Sequence, residues 1–116
     1  MSSHPNFLIV LTDDQGYGDA GCYGGDDLRT PHFDRLAASG CRFTQWYGGA
    51  PVCSASRASL MSGRFPWRVG VPGNVPADRD ATGLDTHATT LPEHLKRAGY
   101  QTFMSGKWHL GQRDGE

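Results

Sequence analysis

Cysteine is scarce in this chain, and the three present, Cys22, Cys41 and Cys53, cannot all pair with one another. None shows the Cys-x-x-Cys spacing of a zinc or redox motif, and the pattern argues against a disulfide scaffold. The five histidines lack zinc-ligand spacing as well. Long apolar runs are missing. The one strongly apolar stretch, Phe7-Leu8-Ile9-Val10-Leu11, is far too short to cross a bilayer. It also lacks the basic leader and small-residue cleavage site of a secretory signal. Charge of one sign is missing too. A formal net charge of −1 leaves no electrostatic footprint for nucleic acid or an anionic membrane, so neither is expected as a partner. As written, the chain reads as cytoplasmic, with an exported location open if residues precede Met1.

What is present suffices for one domain with a real core in 116 residues, rich in glycine. Residues 6–11 read as a buried strand ended by Thr12-Asp13-Asp14. Residues 15–29 read as loop. Thr30-Pro31 is a helix start, with proline at the first helical position. That helix runs through Phe33, Leu36 and Ala37 to Gly40. Residues 41–46 alternate and predict a second strand, followed by a turn over 48–52. A short helix is expected from Cys53 or Ser54 to Gly63, burying Ala58, Leu60 and Met61. Residues 65–88 have no clear period, and a loop this long in a compact domain is functional or disordered. Thr90-Leu91-Pro92-Glu93 is a capping-box start for a helix ending at Gly99. Residues 100–104 read as a strand. The order β-α-β-α-loop-α-β predicts an α/β layered fold with a largely parallel sheet.

The chemistry-bearing residues fall in three places. Asp13-Asp14 follow the first strand, and open α/β sheets bind ligands beyond the carboxyl ends of their strands. Adjacent carboxylates can bracket a hard cation such as Ca²⁺ or Mg²⁺. They are equally common in a solvated turn. Cys53 precedes a helical pattern, and helix N-termini favour thiolate chemistry. Arg57 lies four residues on, on the same helix face, where it can grip a tetrahedral oxyanion. Read alone, the pair is also a packing cysteine with a surface arginine. Lys107 and His109 are two apart and would share one side of an extended segment. Lysine offers fixed positive charge, and histidine can hydrogen-bond a nucleophile or move its proton. Incidental basic residues in a loop read the same way. Gly16-Tyr17-Gly18-Asp19-Ala20-Gly21 fits a dinucleotide fingerprint, but the following residues are poor helix material, and such a fingerprint needs a helix to open from its glycines.

Taken together and in order, these motifs resemble the N-terminal part of a type I sulfatase of the alkaline phosphatase superfamily. Cys53-x-Ala55-x-Arg57 resembles the signature whose cysteine is oxidised after translation to formylglycine, although Ala55 stands where the commoner form has proline. Residues 58–64 are similar to the signature's helix and Gly-Arg ending. Gly99-Tyr100-x-Thr102 leading into Gly106-Lys107-Trp108-His109 resembles the second signature. Residues 5–14 and 30–37 are similar to the family's first strand and first helix.

The resemblance implies a sulfuric ester hydrolase with an alkaline phosphatase-like fold. Asp13 and Asp14, with the modified Cys53, would hold one Ca²⁺, with Mg²⁺ as the alternative. Cys53, as a hydrated aldehyde, would offer one hydroxyl to attack sulfur and a second to expel sulfate. Arg57 would steady that hydrate, Lys107 would bind sulfate, and His109 would hydrogen-bond the diol. The implied partners are a sulfated small molecule or carbohydrate and a formylglycine-generating maturation enzyme. Residues 1–116 would be the front of the catalytic domain, with 65–88 as a long active-site loop. The family draws further metal ligands, a histidine and a lysine from later in the chain, so this stretch alone is expected to turn over little or nothing. A phosphonate or phosphate ester hydrolase of the same superfamily and a non-catalytic anion-binding relative are the rival readings.

Overall fold

A computed structural model describes residues 4–78 and 81–111. The chain divides into two compact units, Met1–Gln45 and Trp46–Glu116. Among the described residues the regular structure is helical, and no strand forms. This corrects the expected strands over 6–11, 41–46 and 100–104. Their apolar side chains are exposed, Leu8 to 88% and Phe103 to 90%. The physical reason is that a strand exists only as part of a hydrogen-bonded ladder, and no ladder forms among the described residues. No helix of the described residues is long and apolar enough to cross a membrane.

The first unit is built around one helix. Its start and stop follow the sequence signals: Thr30 precedes Pro31, and Gly40 ends it. This is α1, Pro31–Ser39. The glycine-rich segment before it is more ordered than the expected loop. It forms two short 3₁₀ turns, Tyr17–Asp19 and Gly21–Tyr23. They are fastened to α1 by backbone amides. Gly21 N–H donates to Thr30 Oγ1 at 2.8 Å, and Cys22 N–H donates to Asp34 Oδ1 at 2.7 Å. Gly21 lies so close to the Asp34 carboxylate that a Cβ there would collide with it. No helix opens from these glycines, which removes the context a dinucleotide fingerprint needs. The apolar stripe Phe33, Leu36 and Ala37 lines an open cleft of about 450 Å³ shared with Tyr17, Cys22 and Cys41.

The second unit carries the buried core. Its first helix, α2, spans Cys53–Ser62 and closes on Gly63, whose left-handed φ of 64° lets its N–H return to Ser59 O. α2 buries Ser54, Ala55 and Ala58, a face of small residues that lets other backbone approach closely. Leu60, expected inside, is 39% exposed. The chain that packs on this face comes from the segment expected to lack a period. Pro66–Val69 forms a 3₁₀ turn, and Val69, Val71, Val75 and Ala88 join Ala58 and Leu110 as one core cluster. The apolar residues are spaced by Pro72, Gly73 and Pro76, which hides any helical or strand rhythm.

The third helix, α3, covers Leu91–Arg97 and packs against α2. Its capping box forms as the sequence predicts. Thr90 N–H donates to Glu93 Oε2 at 2.6 Å, and the Thr90 hydroxyl donates to the same oxygen at 2.9 Å. The Thr90 backbone bond, its side-chain bond and then the nearby Arg97 and His94 hold the Glu93 carboxyl below its usual range. A carboxyl depressed on folding contributes stability above its unfolded pKa and loses it as pH falls through the folded one. Acidification below the ordinary carboxylate range is therefore expected to fray the start of α3. Amide exchange at Glu93 and His94, followed against pH, should show this step in the native chain. Glu93→Gln should abolish it; an unchanged step in that variant would assign it to another group.

Candidate active site

Asp13 and Asp14 lie in the first unit, exposed, in a bend that ends the extended segment 4–12. Asp14 has φ 54°. A left-handed residue other than glycine is uncommon, and aspartate tolerates it better than most. The donor chemistry of the pair is hard carboxylate oxygen, which fits a hard divalent cation and not a soft one.

The remaining candidates lie in the second unit, and the structure brings them onto one framework. Cys53 is the first residue of α2 and is half-buried. Arg57, one turn on, donates from Nη1 to the carbonyl oxygen of Lys107 at 2.7 Å. That bond joins the two motifs directly. His109 has φ 57°. Among the described residues, Asp14 and His109 are the non-glycine residues at positive φ, and both belong to the candidate set. Strained backbone of this kind clusters at functional sites. The expectation that Lys107 and His109 share one side of an extended segment does not survive, because His109 is left-handed and Gly106 has φ 107°. An i, i+2 argument requires extended backbone.

Val75 ties the same framework together from within the long segment. Its N–H donates to Ser54 Oγ at 3.0 Å, beside Cys53. Its carbonyl faces His109 Nε2 at 3.1 Å. A carbonyl only accepts, so that contact is a hydrogen bond when Nε2 carries the proton, which leaves Nδ1 as the acceptor nitrogen. His109 Nδ1 is buried and has no hydrogen-bond partner among the described residues. Leu84 N–H donates to Leu110 O at 2.8 Å, and Gly83 lies so close to Leu110 that a Cβ would strike its carbonyl. The Lys107–Leu110 segment is thus pinned to the core.

Sequence reasoning missed Ser54, Asn74 and Val75. Val52, the residue before α2, caps nothing with its side chain, and Asn74 Oδ1 instead accepts the Ser54 N–H at 3.1 Å. No local signal could reveal a cap supplied from twenty residues away. Ser54→Ala is expected to destabilise the chain by about 1–3 kcal/mol, because it leaves a buried Val75 N–H without its acceptor. Urea unfolding measures this, and an unchanged midpoint would show that water replaces the hydroxyl.

Comparison with known proteins identifies the family. The Sulfatase family model matches residues 5–115, and the chain belongs to the sulfatase family. It is 46% identical over 112 residues to the steryl-sulfatase of Rattus norvegicus, covering 92% of this chain and 19% of that protein. It is also 46% identical over 107 residues to human arylsulfatase A, covering 92% and 21%. The N-acetylgalactosamine-6-O-sulfatase of Bacteroides thetaiotaomicron is 42% identical over 110 residues, with 95% and 21% covered. Among solved structures, Ps i-CgsB superposes with TM-score 0.81 at 42% identity over 86% of this chain and 22% of its own. The chain therefore spans about a fifth of the length of these relatives. The family generally implies a metal ion and a formylglycine.

Proposed function

We propose that the protein carrying this chain hydrolyses sulfate monoesters, with Cys53 as the precursor of a formylglycine nucleophile. The observation that supports this best is the Arg57–Lys107 bond. It links the cysteine-bearing helix to the second signature within a chain of the sulfatase family. The fold that goes with this activity is a layered, largely parallel sheet flanked by helices, with residues 65–88 as a loop of the active site.

Asp13 and Asp14 would hold Ca²⁺, with Mg²⁺ as the alternative, and the bound cation would supply positive charge for sulfate oxygens. Cys53 as a thiolate is a soft ligand, poorly matched to such a cation. Oxidised and hydrated by a maturation enzyme, it offers oxygen instead. Formylglycine at position 53, once hydrated, would supply two hydroxyls on one carbon: the first to displace the alcohol from sulfur, its proton passing to the departing oxygen, and the second to expel the sulfate as the aldehyde re-forms. Arg57 steadies the hydrate, and Lys107 supplies fixed charge to the sulfate. His109 Nδ1, held by the Nε2–Val75 contact, is the acceptor that takes the hydroxyl proton.

Matched aryl sulfate and aryl phosphate esters, offered to the protein carrying the chain, test the assignment. Faster sulfate release is expected, and preferential phosphate release would move the protein to the phosphate or phosphonate branch. An unmodified Cys53 in protein from a host competent for maturation would favour a non-catalytic anion binder.

A further inference from the structure

Two links join α2 to the segment that carries His109, and they differ in kind. The first is direct: Arg57 Nη1 donates to the Lys107 carbonyl at 2.7 Å. The second runs through residues 74 and 75, and all of it lies in the second unit. Asn74 Oδ1 accepts the Ser54 N–H at 3.1 Å, and Ser54 Oγ accepts the Val75 N–H at 3.0 Å. The Val75 carbonyl then meets His109 Nε2 at 3.1 Å. Ser54 and Val75 are buried, where a hydrogen bond is electrostatically stronger than in water. A segment held to a helix by one hydrogen bond can still turn about it. A second, separate attachment removes that freedom.

We infer that Asn74 is a positioning residue for the hydrolysis: by capping α2 directly behind residue 53, it fixes how residue 53 and His109 are placed relative to one another. Two observations single out Asn74. Val52 gives the first turn of α2 no side-chain cap, so the acceptor comes from outside the helix. The next residue in sequence, Val75, makes the contact to His109, so a single dipeptide spans both ends of the link. Asn74 is itself exposed, so its truncation opens no cavity, and any effect on turnover has to travel through the bond it makes. The inference rests on the hydrolase reading for the reaction that Asn74 serves, while the link itself is a property of the chain.

Steady-state kinetics on an aryl sulfate with the protein carrying this chain, together with ¹⁵N NMR of its histidine rings, provide the test. Asn74→Ala is expected to lower kcat by roughly tenfold to thirtyfold, since a reacting group misplaced by about 1 Å loses on the order of 10²-fold. KM should stay within about twofold, because no group that holds the ester is removed. Asn74→Asp keeps the acceptor oxygen and should recover kcat to within about threefold of the native value. Its added charge repels an anionic ester and should appear in KM. Ser54→Ala cuts the same link at its next bond and should lower kcat in the same way, so the inference can fail on either variant. In mildly alkaline buffer the native His109 ring should show one tautomer, with the proton on Nε2, and Asn74→Ala should show two in exchange; His109→Gln assigns the signals. Native kcat in Asn74→Ala, no recovery in Asn74→Asp, or an unchanged His109 tautomer overturns the inference. A native protein that hydrolyses no sulfate ester sinks the hydrolase reading, and the ring signals then decide the link by themselves.

Discussion

Cys53→Ala is expected to lower kcat for sulfate ester hydrolysis by on the order of 10⁴-fold or more in the protein that carries this chain. The size follows from the role. Cys53 opens α2 and has Arg57 on the next turn, so the residue it becomes would be the attacking group. Other groups can polarise the ester but cannot replace the nucleophile. Cys53→Ser makes a sharper test. A serine hydroxyl can attack sulfur and release one equivalent of alcohol, but its sulfate ester has no second hydroxyl to expel the sulfate. A burst of alcohol followed by a stalled, sulfate-bearing enzyme is expected. Steady turnover by Cys53→Ser at the native rate would rule out the two-hydroxyl route. In the native protein the peptide containing Cys53 should carry an aldehyde that a hydrazine reagent traps.

Arg57→Lys should lower kcat by roughly 10²–10³-fold, the usual loss on removing one preorganised donor. The charge is retained, but the planar fork is not. The native guanidinium reaches the Lys107 carbonyl from α2, and so sets the position of the Lys107–His109 segment relative to Cys53. Losing that bond should cost only about 1 kcal/mol of stability. A urea midpoint that barely moves beside a large fall in kcat is the expected pair of results. A proportionate fall in both would make Arg57 a purely structural tie.

The helices were legible because their ends are written locally. Thr30-Pro31, Gly63 and the Thr90–Glu93 pair each mark a boundary within a residue or two of where it lies. The strands were not, since an apolar run such as Phe7–Leu11 states a tendency that only a paired neighbour can satisfy. The core was misplaced for a related reason. Val69, Val71 and Val75 sit among glycines and prolines, so their burial depends on the small-residue face of α2 and not on any rhythm of their own. The candidates Cys53, Arg57, Lys107 and His109 are named by their chemistry, while Ser54, Asn74 and Val75 meet through side chain-to-backbone bonds across twenty residues that residue identity does not announce.

The valine-bearing segment has two duties at once. It holds the interior of its unit, and through Asn74 and Val75 it also joins the start of α2 to His109. Any change in this stretch must therefore keep the buried valines and Pro66 in place, so that even its exposed positions vary under the constraint of the interior.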